Sequence, residues 1–410
     1  MKKTLIKNIG RLQTPEGSYP HKGEDQGRNR IAKNMDILVE GGIISAISPR
    51  GTISPEGVDI LVDAEGCLVT PGLVDGHTHL VFGGYRQNEI PLKLAGADYL
   101  EILKAGGGIL DTLNKTRRAT FRELEEKSQG FLDEMMSLGV TTCEAKSGYG
   151  LDMETEMKML KVIDQLSQSH PMDIVSTFMG AHMIPPEYKD RGDDYIDLLC
   201  REILPAVAES GLARFVDVFC EEGVFDPEQS RKYLQAAKDL GLGLKIHADE
   251  IEEIGGSHLA GEMGCISAEH LIAIGREGMA SLKAGGTTAM CLPATSFYLN
   301  KSFAPAKKMI EMGIPVAMAT DFNPGSCPSL NLQLVINLGY LKYRMTPEEI
   351  LTAVTVNPAC AIGQGDLVGT LEVGKQGDLV IWDAPDMEML CYRLGSNLAS
   401  TVIKKGEIVS

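Results

Sequence analysis

Two histidines separated by one residue, His77 and His79, follow the segment 70–76 (TPGLVDG). On a β-strand, residues i and i+2 point to the same face, so both imidazoles can reach one point. Two neutral imidazoles on a rigid strand supply half of a Zn²⁺ or Fe²⁺ site. A lone His-x-His pair is equally compatible with two structural strand residues. The metal interpretation therefore depends on further ligands elsewhere in the chain.

The middle of the chain alternates between short β-prone segments and helical patterns, which predicts an α/β fold of the TIM (β/α)8 barrel type. A doubly wound sheet is the alternative architecture. Helical patterns cover Arg122–Leu138, Glu154–Gln168, Gln229–Leu240 and Pro305–Met312, and a capping box at Thr346–Glu349 starts the last helix. The β-prone segments are Leu73–Leu80, Thr141–Ser147, Ile174–His182, Phe215–Gly223, Gly243–Glu250, Ser267–Leu271, Thr287–Ala294 and Pro315–Asn323.

Both ends of the chain are rich in predicted hairpins. Met35–Val39 and Ile43–Ile47 flank a turn with two glycines, and Asp378–Trp382, Thr401–Ile403 and Glu407–Val409 form a similar group. We therefore expect the termini to pair into a small β-sandwich domain made of residues 1–70 and 360–410. Residues 71–359 are expected to form the barrel.

Ionisable residues recur where the predicted barrel strands end. In TIM barrels the chemistry lies at the carboxyl ends of the strands, so these side chains should meet at one mouth. They are His77, His79, Lys146, His182, Glu221, Glu222, His247, Glu250, His270 and Asp321.

A metal site with three histidines and one carboxylate follows from four of these residues: His77, His79, His247 and Asp321. A divalent metal lowers the pKa of a bound water to about 7 and so supplies hydroxide at neutral pH. Asp321 could bind the metal and also accept the proton of that water.

Two further strand-end residues suit acid–base chemistry. Glu250 lies three residues after His247, where it can carry a proton to a leaving nitrogen, and His270 can polarise a carbonyl under attack. A structural His270 bonded to Glu269 is the alternative for that histidine. Without His247 nearby, Glu250 would be an ordinary loop carboxylate.

Other charged residues have structural explanations. Lys146 and Glu144 can be a buried ion pair with no catalytic part, and their role stays open. His21, His170 and His258 lie away from the predicted strand ends and are expected on the surface.

The bulk properties restrict the class of protein. A net charge of −17 argues against nucleic-acid binding. Nine cysteines without a C-x-x-C pair suit a reducing cytoplasm, and no apolar run is long enough to cross a membrane. We expect a cytoplasmic protein that acts on a small molecule.

Several motifs resemble the amidohydrolase superfamily of metal-dependent hydrolases, and within it the enzymes that open a five-membered cyclic amide. The resemblance runs over nearly the whole chain. The motifs are His77–Arg86 (HTHLVFGGYR), Lys146–Gly150 (KSGYG), Phe178–His182 (FMGAH), Lys245–Glu250 (KIHADE) and Ala319–Ser326 (ATDFNPGS).

This resemblance implies hydrolysis of 4-imidazolone-5-propanoate to N-formimino-L-glutamate in histidine degradation, by a homodimer with Zn²⁺ or Fe²⁺/Fe³⁺. Strand 4 ends at Cys220-Glu221-Glu222 and has no lysine to carbamylate, which favours one metal per subunit over two. The residues that match substrate contacts of these enzymes are Arg86, Tyr149, His182, Glu250, Asn323, Gly325 and Ser326.

The residues agree with an anionic imidazolone carboxylate as substrate. Arg86 offers a planar guanidinium for bidentate binding of the propanoate. The alternative interpretation of Arg86 is an ordinary surface salt bridge. Tyr149 lies between two glycines in a loop that can bring a phenol over a flat ring. Asn323 and Ser326 could present hydrogen-bond donors to the tail or the ring.

Two other functions stay open. A deaminase acting on a nucleobase would use the same His247, Glu250, His270 and Asp321, although Arg86 suits a carboxylate tail better. A catalytically silent barrel used as a scaffold would be expected to have lost ligands, whereas here every ligand position is filled.

Overall fold

The structure is a computed structural model that describes residues 1–96 and 107–410. A parallel eight-stranded sheet lies at its centre, and each strand pairs with the next one along the chain. Its strands are β6 (Leu73–Asp75), β7 (Val140–Lys146), β8 (Asp173–Ala181), β9 (Phe215–Cys220), β10 (Gly243–Ala248), β11 (Ser267–His270), β12 (Thr288–Cys291) and β13 (Val316–Met318).

The first and last strands of this sheet meet just beyond their carboxyl ends. Thr78 and Phe322 form a parallel bridge. The amide of Asp321 donates to the carbonyl of His77 at 3.0 Å, and the amide of His79 donates to the carbonyl of Phe322 at 2.8 Å. These bonds close the sheet into a barrel, which confirms the predicted (β/α)8 fold over the doubly wound alternative, whose edge strands stay apart.

Each predicted β-prone segment contains one observed strand, but the predicted segments run too far at their carboxyl ends. Strand β6 ends at Asp75 and β13 at Met318, so His77, His79 and Asp321 lie in the loops that follow, whereas His247 lies within β10. Such loops carry the active sites of TIM barrels because they can vary while the strands keep their pairing.

Helices lie between the strands, and the four predicted helical patterns are confirmed to within two residues at each end. The capping box is also present, because the hydroxyl of Thr346 accepts from the amide of Glu349. None of the described helices is both long and apolar enough to cross a membrane. The α-helices are Ile90–Leu94, Ile109–Arg118, Phe121–Ser137, Met153–Ser169, Gly192–Leu198, Leu204–Ser210, Pro227–Asp239, Gly256–Met263, Arg276–Gly285, Pro293–Tyr298, Ala306–Glu311, Leu332–Leu341, Pro347–Ala353, Val356–Ala361 and Met387–Tyr392.

A second sheet combines strands from both termini, which confirms the small β-domain. Strand β5 pairs antiparallel with β14, so that residues 68–71 meet residues 379–382, and all its strands belong to one hydrogen-bonded sheet. The domain bounds given above stay a prediction. The strands are β1 (Lys3–Thr14), β2 (Arg30–Glu40), β3 (Ile43–Pro49), β4 (Ile60–Asp63), β5 (Leu68–Pro71), β14 (Leu379–Trp382), β15 (Ala399–Lys404) and β16 (Glu407–Ile408).

Two histidines that were expected on the surface are buried, so that expectation is wrong for them. The ring of His21 lies 2.8 Å from the carbonyl of Glu16 and 3.1 Å from that of Asp25. The Nδ1 of His170 accepts from the amide of Met172 at 3.1 Å. Both rings organise loops through backbone atoms, a role that leaves no periodic signal in the sequence. His258 is exposed, as expected.

A buried lysine joins the small sheet to the barrel. The Nζ of Lys404 in β15 lies 2.6 Å from a carboxylate oxygen of Asp378 beside it and 2.6 Å from one of Asp173, the first residue of β8. The neighbouring Lys405 also contacts Asp173, at 2.8 Å, but its side chain is about half exposed.

Replacing Lys404 with methionine should destabilise the protein by about 3–5 kcal/mol, because it leaves two carboxylates together without a buried counter-charge. The Lys405→Met variant is the matched control and should cost less than about 1 kcal/mol, since its ion pair is solvated. Urea unfolding midpoints of the two variants and the wild type measure the difference. Equal midpoints for the two variants would contradict this account of the interface.

Candidate metal centre and substrate cavity

Four side chains predicted to bind metal converge at the barrel mouth. The Nε2 atoms of His79 and His247 are 3.4 Å apart. The Oδ1 of Asp321 lies 3.4 Å from the Nε2 of His77 and 3.6 Å from the Nε2 of His79. In a tetrahedral site with bonds of 2.0–2.1 Å, neighbouring ligand atoms are about 3.3–3.4 Å apart. The residues therefore fit a metal ion without rearrangement.

The electrostatic state of the histidines also suits a metal. Burial lowers the pKa of His77, His79 and His247, and for His247 the value falls to about 3. All three rings are therefore neutral near pH 7, as metal ligands must be. The Nε2 of His77 is buried and has no hydrogen-bond partner among the described residues, although such atoms are normally paired.

Buried carboxylates fix the orientation of two of these rings. The Nδ1 of His77 lies 3.0 Å from Glu269 Oε2, and the Nδ1 of His247 lies 2.9 Å from Asp217 Oδ1. Each carboxylate accepts the Nδ1 proton and so leaves Nε2 as the ligand atom. Glu269 therefore does not pair with His270, because adjacent strand residues point to opposite faces.

Asp321, in the loop after β13, and His270, the last residue of β11, adopt an unusual backbone conformation. Asp321 has φ of 55° and His270 has φ of 68°, which is the left-handed region that non-glycine residues rarely occupy. The Oδ2 of Asp321 accepts a hydrogen bond from Thr295 at 2.6 Å, and this leaves Oδ1 facing the histidines. Backbone strain of this kind is held in place by surrounding contacts and clusters at functional sites.

Glu250 and His270 form a pair beside the metal ligands, with 3.5 Å between Oε2 and Nε2. Burial, helped by the negative charge of Glu221, raises the pKa of Glu250 to about 7. Burial lowers the pKa of His270. A carboxyl with a pKa near 7 can give and take a proton at neutral pH. A nitrogen of His270 also comes within 4.8 Å of ligand atoms of His77 and Asp321.

A cavity of about 840 Å³ opens over this centre. It brings together all of the residues predicted to contact substrate. Its walls include His79, Arg86, Tyr149, His182, His247, Glu250, His270, Asp321, Asn323, Gly325 and Ser326.

Arg86 is held against the loop after β13. Its Nε donates to Glu89 Oε1 at 2.9 Å, and this oxygen also accepts from the amide of Gly108 at 2.7 Å. A Cβ at Gly325 would lie 2.2 Å from the Nη1 of Arg86. Position 325 therefore has room for the guanidinium only because it is glycine.

Asn323 organises its own loop. Its Oδ1 accepts from the amides of Gly325 and Ser326 at 2.8 and 2.7 Å, and its Nδ2 donates to the carbonyl of Asp321 at 2.7 Å. The amide group is thus engaged in the turn that shapes the cavity wall, and the contact of Asn323 with substrate stays a prediction.

Another histidine, His182, covers the candidate metal ligands from the cavity side. The ring of His182 stacks on that of His79, with centroids 4.9 Å apart and an interplanar angle of 19°. Its Nδ1 lies 3.0 Å from the carbonyl of Gly148, so Nε2 is the atom that remains for a ligand. Tyr149 lies beside both rings, at 5.8 Å from His79 and 5.3 Å from His182.

Several residues of the site were missed from the sequence. Lys301 and Phe219 also line the cavity, beside Glu222, which was expected at this mouth. Asp217 and Glu269 lie behind the ligands, and a signal for them existed: a carboxylate inside an apolar strand such as residues 215–220 has to face a partner. Which partner it faces depends on how the strands are arranged around the barrel.

The model of the amidohydrolase family matches residues 68–409. This range covers the whole barrel and four strands of the small sheet (β5, β14, β15 and β16), so the chain belongs to the amidohydrolase family.

Similarity to individual relatives extends over both chains. The chain is 49% identical over 412 residues to the imidazolonepropionase of Alkaliphilus metalliredigens, covering 99% of this chain and 97% of that one. It is 50% identical to that of Alkaliphilus oremlandii (98% and 97%) and 48% identical to that of Bacillus cytotoxicus (98% and 96%). At this level of identity the chain groups with the imidazolonepropionases, and it is a hydrolase.

Solved structures share the fold at much lower identity. The 5-methylcytosine deaminase of Klebsiella pneumoniae with phosphonocytosine has a TM-score of 0.76 at 18% identity, covering 99% of this chain and 98% of that one. The zinc complex of atrazine chlorohydrolase from Arthrobacter aurescens TC1 has a TM-score of 0.70 at 18% identity, with 99% and 94% covered. Together with the histidine cluster, the family supports a divalent metal in this protein.

Replacing His77 with alanine should remove the metal, because it takes away one ligand and leaves Glu269 without its partner. Metal per chain, measured by elemental analysis after dialysis, is expected to fall from about one to a small fraction. His258→Ala, at an exposed histidine off the site, is the control and should keep the wild-type content. Full metal content in His77→Ala would place the centre elsewhere.

Proposed function

We propose that this protein hydrolyses the cyclic amide of 4-imidazolone-5-propanoate to N-formimino-L-glutamate, the hydrolytic step of histidine degradation. Water adds to the ring carbonyl carbon, the carbon–nitrogen bond of the cyclic amide breaks, and the nitrogen takes up a proton. The proposal rests on one observation above the others: Arg86, which suits a carboxylate, lines the same cavity as three of the candidate metal ligands, His79, His247 and Asp321.

The metal would be held by His77, His79, His247 and Asp321, as one ion per chain. When bound, a divalent ion of this kind lowers the pKa of water toward neutrality and supplies the hydrolytic nucleophile. Imidazole and carboxylate ligands suit both zinc and iron, and elemental analysis of the protein as purified distinguishes them.

Three residues of the cavity would handle the proton transfers and the developing negative charge: Glu250, His270 and Asp321. Glu250, with its pKa raised to about 7, can take a proton from the attacking water and deliver one to the leaving ring nitrogen. His270 beside it can donate a hydrogen bond to the carbonyl oxygen as negative charge develops there. Asp321 would be a second acceptor for a proton of the same water.

Different residues of the cavity would hold the propanoate tail and the ring of the substrate and so orient it. Arg86, fixed through Nε by Glu89, would bind the propanoate, and Gly325 leaves the room that this guanidinium needs. His182 and Tyr149 would contact the flat ring, and Ser326 lies on the same wall. Asn323 acts through the loop that it holds.

A deaminase remains the second candidate by chemistry. The sequence is 18% identical to that of the 5-methylcytosine deaminase, and this similarity shows the fold alone. Nothing in a nucleobase requires the Arg86 clamp, whereas a propanoate tail does. Production of formiminoglutamate without ammonia from purified protein and imidazolone propanoate tests the choice.

We also propose that the protein is a cytoplasmic homodimer, as the resemblance implies. All nine cysteines are free, which agrees with a reducing compartment. Light scattering of the purified protein measures the number of chains.

Glu250→Gln should lower kcat by about 10²–10⁴-fold, because the amide keeps the shape of the side chain but cannot shuttle a proton. Metal content should stay at the wild-type level. Glu252→Gln, in the same loop and exposed, is the control and should leave kcat unchanged. Loss of metal from Glu250→Gln would reassign Glu250 as a ligand.

Gly325→Ala should act as an Arg86 variant does, since the added Cβ displaces the guanidinium. Loss of a charge-assisted hydrogen bond of about 1.5–3 kcal/mol corresponds to a rise in KM of about 10- to 100-fold. Gly130→Ala is the control: it lies in the helix Phe121–Ser137, where a Cβ meets nothing within 4 Å. An unchanged KM in both Gly325→Ala and Arg86→Ala would show that the carboxylate binds elsewhere.

A further inference from the structure

An ionic chain runs through the barrel interior beneath the metal ligands. It comprises three carboxylates and two ammonium groups, all fully buried: Glu144, Lys146, Asp217, Lys245 and Glu269. They come from strands β7, β9, β10 and β11. The sequence suggested only that Lys146 and Glu144 could pair, and the structure confirms this pair with 2.7 Å between Nζ and Oε2.

One half of the chain ends on His247. The Nζ of Lys146 donates to Asp217 Oδ2 at 2.8 Å, and the other oxygen of Asp217 accepts from the ring of His247 at 2.9 Å and from its amide at 3.2 Å. Each oxygen of Asp217 is therefore assigned to one partner. If the carboxylate rotated to bind the histidine with both oxygens, it would lose its hydrogen bond to Lys146.

The other half ends on His77. The Nζ of Lys245 lies 3.0 Å from Glu144 Oε1 and 3.7 Å from Glu269 Oε1. The Oε2 of Glu269 lies 3.0 Å from the Nδ1 of His77. Glu144 thus joins the two halves, with one oxygen directed to each lysine, and Thr177 donates a hydrogen bond to it from β8.

We propose that this chain is a positioning device, in which Glu144, Lys146 and Lys245 set the geometry of the metal centre although none of them touches a metal ligand or the cavity. The inference rests on the metal centre proposed above. A bare stabilising role is a poor explanation, because buried ion pairs are on average no better for stability than apolar residues of the same volume. A fixed orientation of Asp217 and Glu269 is something that apolar residues cannot provide.

Two physical models make opposite predictions for one variant. If the buried charges act only through the local potential, removal of the positive Lys146 should strengthen the binding of a cation. If they act by positioning, the same removal should weaken it, because Asp217 loses the partner that holds its second oxygen. Partners behind metal-binding histidines typically contribute about 10- to 100-fold to metal affinity.

The test is the dissociation constant of Zn²⁺ alone, measured by competition with a chelator on folded apoprotein. Lys146→Met is expected to weaken Zn²⁺ binding about 10-fold or more. Lys404→Met is the matched control, because it also removes a buried lysine with two carboxylate partners, but at the junction with the small sheet. That control should lose stability and keep its Zn²⁺ affinity.

A less disruptive substitution, Thr177→Val, tests the proposal if the Lys146→Met variant does not fold. Thr177→Val keeps every charge and removes only the hydrogen bond that orients Glu144. It should weaken Zn²⁺ binding several-fold and shift the visible absorption of the Co²⁺-loaded protein, which reports ligand geometry and not stability.

Each outcome decides between the models. Zn²⁺ affinity within twofold of the wild type in Thr177→Val, together with unchanged or tighter binding in Lys146→Met, would overturn the positioning role. A wild-type protein that binds no Zn²⁺ or iron would instead remove the metal centre itself, and the proposed function with it.

Discussion

The structure depends on the backbone hydrogen bonds that join the first and last barrel strands. The amide of Asp321 donates to the carbonyl of His77, and two residues further on the amide of His79 donates to the carbonyl of Phe322. These bonds close the barrel, and the residues that make them include three of the four candidate metal ligands. Closure of the barrel therefore also brings these candidate ligands together.

The barrel interior buries carboxylates, lysines and histidines away from water, and this burial has an electrostatic cost in folding free energy. Burial of an ion is tolerated only when partners satisfy it. Here the histidines stay neutral, and the lysines lie between carboxylates from different strands. The same groups orient the ligand rings, so the arrangement that makes the interior tolerable also prepares the site.

Much of this could be predicted from the sequence. The alternation of β-prone and helical segments predicts the barrel, and the strand-end positions of His77, His79, His247 and Asp321 predict that these side chains meet at its mouth. The pairing of Glu269 with His77 could not be predicted, because it depends on which strands face each other across a closed sheet. The surface position expected for His21 was wrong for another reason: its ring binds nearby backbone atoms, and such local bonds have no periodicity. The hydrogen bonds of Asn323 within its own loop could not be predicted for the same reason.

The antiparallel pairing of β5 with β14 has a consequence for how the chain is made. Strand β5 is complete after about seventy residues, but its partner is synthesised some three hundred residues later. At ribosomal rates of 5–20 residues per second, this edge stays unpaired for roughly 15–60 s. An open strand edge is a template for wrong association. The edge of β5 is therefore open to wrong association during that interval, and the barrel is finished before the sheet that began first.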